Sequence, residues 1–335
     1  MTPATATTLD HRPPDPRRPH LRAHGWARSL WQNSGMLLVF ALLFAGVSLF
    51  VPNFFSWVNM TGLALSVATV GIIACTMLFC LAAGDFDLSV GSVVAMSGVL
   101  AAVVINRTGS IALGIAAGVL AGGAVGLFNG FVIARLGINA LITTLATMQM
   151  VRGLAYIVSG GSAIGIREVA FFELGISSLL GIPTPVWIMA ACFAIFGLLL
   201  NRTIFGRNTL AVGGNREAAR LAGIAVVGLK IVIFTLQGLM AGFAGVILAA
   251  RMTSGQPRTA EGLELSVISA CVLGGVSLTG GVGTMLGVVV GVLIMGTVNN
   301  AMNLLNIPPF YQYVASGGIL LAAVLFDRLK QQRCD

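Results

Sequence analysis

The stretch LAAGDFDLSVGS, residues 81–92, decides how the chain is read. Between Arg28 and Arg107 its Asp85 and Asp87 are the only charged side chains, and long apolar runs flank them. Gly84 is placed to end one helix. Asp87 or Ser89 can cap the next by accepting a free backbone N–H, and the helix N-terminal dipole favours a carboxylate there. Gly91, one turn in, permits close packing. The two acids are therefore expected to mark a broken helix at the junction of two spans. Helix breakage suffices as the reason for them, and no basic partner is needed.

The composition beyond this stretch says why spans are meant. Only 9% of the 335 residues are charged and 57% are hydrophobic, against roughly 25% charged in an ordinary soluble domain. So few charges cannot cover the surface of a soluble protein of this length. The expectation is an all-α polytopic membrane protein. The formal charge of +8 fits Lys and Arg gathering in loops beside anionic lipid. No basic patch interleaved with aromatics points to nucleic acid. Five cysteines have no metal-ligand spacing, and four of them (Cys75, Cys80, Cys192 and Cys271) sit in apolar runs, where a small buried hydrophobe is the default. No metal site and no disulfide framework is indicated.

A bilayer-spanning helix needs about 20 mostly apolar residues. Ten spans are expected, near 35–52, 59–83, 89–105, 111–134, 138–158, 184–200, 230–250, 265–280, 283–304 and 310–326. Residues 1–34, rich in Pro, Arg and His, read as a flexible N-terminal tail, 35–327 as the transmembrane domain and 328–335 as a C-terminal tail. Met36–Val51 is followed by Pro52-Asn53-Phe54-Phe55 rather than a small-residue cleavage site, so it reads as a retained first span. In the fourth span Gly114, Gly118, Gly122, Gly126 and Gly130 recur at four-residue spacing, the pattern that lets membrane helices approach closely. With both termini inside, 14 of the 19 Lys and Arg fall on the inner side, as the positive-inside bias requires. A weak internal echo relates GDFDLSVGS at 84–92 to GGVSLTGGV at 274–282.

The largest inner connection, Asn201–Gly228, contains GRNTLAVGGNREAARLAGI, residues 206–224. Gly213-Gly214 breaks the chain and Asn215 is a good N-cap. Glu217 in the first turn and Arg220 in the last match the helix dipole, and Gly223 supplies the stop. A surface helix of about two turns is expected. Ala218, Leu221 and Ala222 line one face, Arg216 and Arg220 the other, and Ala219 lies between.

The spacing Glu-Ala-Ala followed by Gly resembles the coupling motif of ABC-importer permeases. GDFDLSVGS, INALITTLATMQMVRGLAY at 138–156, FGRNTLAVGGNREAARLAGI at 205–224, RMTSGQPRTAEGLELSVISACVLGGVSLTGGVG at 251–283 and FDRLKQQ near the end extend the likeness over residues 35 to 331. Together they resemble the permeases of bacterial sugar ABC importers, the ribose, xylose and arabinose family. CLAAGDFDLSVGS, NALITTLATMQMVRGLAY and NNAMNLLNI look most like its L-arabinose branch. The resemblance implies an inner-membrane permease subunit, working as a homodimer with a separate ATPase subunit and a periplasmic sugar-binding protein. It implies that residues 213–223 dock on the ATPase, which would hold ATP and Mg. The chain has no GxxxxGK[ST] loop of its own.

Polar residues inside spans are candidates for the sugar path, because intramembrane polarity usually faces the interior. Asn139, Thr143, Thr147 and Gln149 lie in the fifth span; Asn299, Asn303 and Asn306 form one stripe in the ninth. Interhelical hydrogen bonding or dimer contact is the competing role for both sets. Arg152, near the outer end of the fifth span, could dock the binding protein, join an internal ion pair or snorkel to the headgroups. Arg167, Glu168, Glu173, Arg251, Arg258, Glu261 and Glu264 make up the remaining outer charges, able to fix register with a soluble partner. An ion-coupled secondary transporter, with Asp85 and Asp87 as coupling carboxylates, is the alternative. An intramembrane enzyme, a third class, would need a nucleophile–base or metal set, and no HExxH, GxSxG or paired His/Asp helix motif is present.

Overall fold

A computed structural model describes residues 25–332, almost wholly helical. The expected flexible tail up to residue 24 and the last three residues lie outside the described part. Helix α1 (Gly25–Phe50) begins before residue 35 and is followed by α2 (Trp57–Ala82), α3 (Val90–Thr108), α4 (Ile111–Arg135) and α5 (Ala140–Ser159). A connection holds β1 (Ile164–Gly165), a 3-10 turn (Val169–Phe172), α6 (Glu173–Ile176), β2 (Ser178–Leu179) and β3 (Ile182–Pro183). Next come α7 (Thr184–Arg202), the short α8 (Ile204–Gly214) and α9 (Arg216–Leu221), then α10 (Val226–Arg251) and β4 (Ser254–Gly255). The chain closes with α11 (Leu263–Leu273), α12 (Met285–Leu304) and α13 (Pro309–Gln332), which runs past residue 327.

Among the described residues seven helices (α2, α3, α4, α5, α7, α10 and α12) are long and apolar enough to cross a membrane. The expected eighth span, 265–280, is not one helix. It stops at Leu273, and Gly274–Gly283 continues without regular structure. The reason is local: Gly275, Gly280 and Gly281 adopt φ of +83°, +88° and +78°, a region L side chains avoid and a helix cannot include.

Helix α2 is the hub. Its C-terminal half, Gly71 to Ala82, is buried throughout and packs on α7, α10, α11 and α12. The glycine stripe of α4 meets α10 as the spacing predicts. A Cβ at Gly122 would strike the carbonyl oxygen of Gly238, and one at Gly126 that of Phe234. In lipid, where burying apolar surface drives little, such backbone contact is the main attraction between helices. Leu120, Leu127, Phe128 and Phe131 of α4, with Ile195 and Leu198 of α7, are exposed and form an apolar exterior suited to lipid.

The molecule has two ends. α8 and α9 define a connector face. At the opposite, distal face β1 pairs antiparallel with β4, tying the 160–183 connection to the segment after α10.

Candidate functional site

At the connector face α2 ends at Ala82, and Gly84 turns the chain with φ +79°. Residues 85–89 then run without helix, and α3 starts well inside the bundle. Its depth follows from its neighbours: α3 runs parallel to α10, with Val94 against Gly245 and Gly98 against Ala249. Equal rise along both helices sets Val90 level with Ala241, roughly 16 Å along α10 from Lys230.

Each acid of this non-helical segment has a partner. Asp87 Oδ1 accepts from the Ser89 backbone N–H at 2.9 Å and from Ser89 Oγ at 2.6 Å, while Asn129 Nδ2 of α4 donates to Ser89 Oγ at 3.0 Å. Ser89 occupies the N-cap position, but its own side chain makes no capping bond. Asp85 Oδ2 lies 2.6 Å from Lys230 Nζ of α10 and has no other hydrogen-bond partner among the described residues. The sequence-based expectation that neither acid needs a base is therefore corrected for Asp85. Both members of the pair are buried, and at that depth an unpaired charge costs several kcal/mol.

The segment 274–283 reaches the same place. The Gly281 N–H donates to Ala82 O at 2.9 Å, Thr279 O approaches Gly84, and Gly213 of α8 is wedged against both Ala82 O and Gly281 N. The two stretches of the internal echo thus touch. Each follows a helix that stops at the connector face. Deeper in the bundle, Gly91 of α3 packs directly on Ala260 O and the Glu264 carboxylate of α11, so the first turn of α3 meets that of the short α11 there.

The connector forms as the motif predicts, with an extra element before it. Asn215 Oδ1 accepts from Ala218 N at 2.9 Å, Glu217 and Arg220 pair at 2.6 Å, and Gly223 takes φ +84°. Glu217 beside it raises the Arg220 guanidinium above its ordinary value. Ala219 is the residue that turns inward, against Val212 and Val226. Ala218, Leu221 and Ala222 are exposed, Leu221 by 79%, so an apolar ridge stands free on this face. Gly213 does not break α8, which runs through it to Gly214.

The two polar stripes separate. In α5, Asn139 is the N-cap, accepting from Leu141 N at 2.9 Å. Thr143 and Thr147 are buried and donate to carbonyls of their own helix, Asn139 O at 3.0 Å and Thr143 O at 3.1 Å, while Gln149 is exposed. In α12, Asn299 and Asn303 line a cavity of about 370 Å³ between α2, α11, α12 and α13. Asn306 lies beyond α12 with φ +54°. Next to the cavity Asn300 and Asn59 of α2 exchange two amide hydrogen bonds of 2.9 Å each.

At the distal face Arg152 is half-buried, and its Nη1 donates to Pro257 O at 2.7 Å and Thr259 O at 2.8 Å. It clamps the chain between β4 and α11. Arg167, Glu173, Arg251, Arg258 and Glu261 are exposed and Glu168 is half-buried. Among the described residues none of these six forms an ion pair. Arg251 instead donates to Leu65 O at 3.3 Å.

Sequence reasoning missed Lys230, the Asn59–Asn300 pair and Gln237, a fully buried residue of α10 whose amide has no partner among the described residues. Lys230 had a signal: it is one of only two lysines and opens an apolar run.

Residues 59–324 match a family described as branched-chain amino acid transport system, permease component. The chain belongs to that permease family. The permease is 64% identical over 303 residues to the L-arabinose transport system permease protein AraH of Escherichia coli, covering 90% of this chain and 92% of the relative. It is 58% identical over 320 residues to the L-arabinose ABC transporter permease protein AraH of Azospirillum brasilense, covering 96% and 94%. To the ribose import permease protein RbsC of Escherichia coli it is 39% identical over 299 residues, covering 88% and 93%. No solved structure matches the permease.

Proposed function

We propose that the protein is the membrane subunit of an ATP-driven importer for L-arabinose, moving sugar released by an extracytoplasmic binding protein. The observation that carries this reading is the 64% identity over nearly the whole length to a protein named for L-arabinose transport. The family description names amino acids, but a zwitterion asks for charged groups, and the α2–α12 cavity is lined by amides, hydroxyls and apolar side chains. That lining favours a neutral polyol.

In this reading the exposed ridge of Ala218, Leu221 and Ala222 docks in a groove of a separate ATPase subunit, which holds ATP and Mg. Gly213 carries movement of the docked helix to the α2 end at Ala82 and to Gly281. The exposed charges Arg167, Arg258 and Glu261 meet the binding protein, with Arg152 holding the loop that presents two of them. Two copies of the permease share one path, and the connector face looks into the cytoplasm of a cell whose inner membrane holds the complex. Asp85 does not act as an ion-coupling group, because its charge is neutralised by Lys230.

Reconstituted vesicles test the reading. Uptake of L-arabinose should require ATP, the ATPase subunit and loaded binding protein together. Uptake that persists without the ATPase and collapses with a protonophore overturns it.

A further inference from the structure

The cavity beside α12 offers more than a passage, because its polar atoms are left with unused hydrogen-bonding capacity of complementary kinds. Asn299 also lines the cavity, although its Oδ1 is closed off from the open space and accepts from nothing among the described residues. Asn303 Oδ1 is taken by Gln312 Nε2 at 2.6 Å, which fixes the amide so that its own NH₂ is left to donate. The Ser66 and Ser266 hydroxyls donate to Leu63 O at 2.7 Å and Gly262 O at 3.4 Å, leaving their lone pairs as acceptors. Val67, Val292 and Met295 supply an apolar wall.

One wall of fixed donors and acceptors facing one of aliphatic carbon suits a sugar ring, which carries hydroxyls on its edge and C–H groups on a face. No Asp, Glu, Lys or Arg is among the lining residues, so an ionic ligand would find no counter-charge. The volume of about 370 Å³ falls in the range of roughly 300–1,000 Å³ of small-molecule sites. That is ample room for one monosaccharide. The cavity lies towards the distal ends of α2 and α12, and Ser266 belongs to the first turns of α11, just after the loop that Arg152 clamps.

We propose that this cavity is a loading site for one neutral monosaccharide, in which the Asn303 amide donates to one sugar hydroxyl and the Ser66 and Ser266 hydroxyls accept from others. The proposal rests on the importer reading above and adds where within a protomer the sugar first binds. The permease then holds a low-affinity sugar site of its own, apart from the one on the binding protein.

The test uses the reconstituted complex with Gly62→Cys in a Cys334→Ser background; Gly62 lines the cavity with open space for a side chain, and the other four native cysteines are buried. A small water-soluble maleimide should alkylate position 62, and millimolar L-arabinose, with no binding protein present, should slow it at least five-fold. An equal concentration of glycine betaine should leave the rate unchanged. Val70→Cys, also in the lining, gives a second position should Gly62→Cys fail to assemble, and it should be protected likewise. Equal rates with and without sugar overturn the loading site, as does labelling by a lipid-soluble maleimide alone, which would mean that acyl chains fill the cavity. If unprotected labelling accompanies normal ATP-dependent uptake by the wild-type complex, only this inference falls. Failure of ATP-dependent uptake itself removes the importer reading instead.

Discussion

Lys230 Nζ and Asp85 Oδ2 stand 2.6 Å apart in a buried pair that joins the start of α10 to the break after α2. Removing one partner strands the other charge, at a cost of about 3–5 kcal/mol, whereas replacing both with apolar groups is often neutral. Lys230→Met or Asp85→Leu alone should therefore lower the thermal midpoint of the detergent-purified permease. Asp85→Leu with Lys230→Met should recover most of it. A single variant as stable as the wild type would contradict the pairing.

Asp87 works through one oxygen, which accepts both Ser89 donors. Asp87→Asn keeps an oxygen there and should retain most transport. Asp87→Leu orphans a buried N–H and hydroxyl, costing about 1–3 kcal/mol each, and should reduce the yield of folded protein. The opposite order of effects would make the charge, not the hydrogen bonds that Asp87 accepts, the essential feature.

Gly213 and Gly214 are neighbours with different surroundings. A Cβ on Gly213 collides with Ala82 O, but on Gly214 it meets its first neighbour, Gly281 Cα, at 4.0 Å. Gly213→Ala should impair uptake and disturb ATPase stimulation in the assembled complex, while Gly214→Ala should be close to wild type. Equal behaviour of the two would deny Gly213 its place as a contact point.

Arg152 donates two charge-assisted hydrogen bonds to the 256–262 loop, and bonds to charged groups are worth about 1.5–3 kcal/mol each. Arg152→Ala should speed limited proteolysis within this loop. Arg167→Ala, at an exposed position, should leave proteolysis unchanged and shift only the salt-dependent rate of binding-protein association. Proteolysis unaltered by Arg152→Ala would show that the loop does not depend on the clamp.

Much of this molecule was legible along the chain, in the parts governed by local rules. The α9 cap at Asn215 and the stop at Gly223 follow from neighbouring residues, and the α4 stripe follows from glycine spacing. The Asp85–Lys230 pair was not legible, because nothing in the sequence near Asp85 names a partner on α10. Nor did residues 265–280 read as anything but a span, since hydropathy ignores the φ that consecutive glycines adopt. The α5 and α12 polar stripes looked alike on paper. Whether a Thr hydroxyl bonds its own helix or an Asn opens on a cavity depends on which neighbour lies opposite.

The Asp85–Lys230 pair also constrains biogenesis. A ribosome adding about 5–20 residues per second delivers Lys230 roughly 7–30 s after Asp85. Through that interval the carboxylate has no counter-ion, so α2 and the segment after it cannot settle until α10 has been inserted. Release of the nascent chain before residue 230 should leave a fragment that membrane quality control degrades, however apolar its helices are.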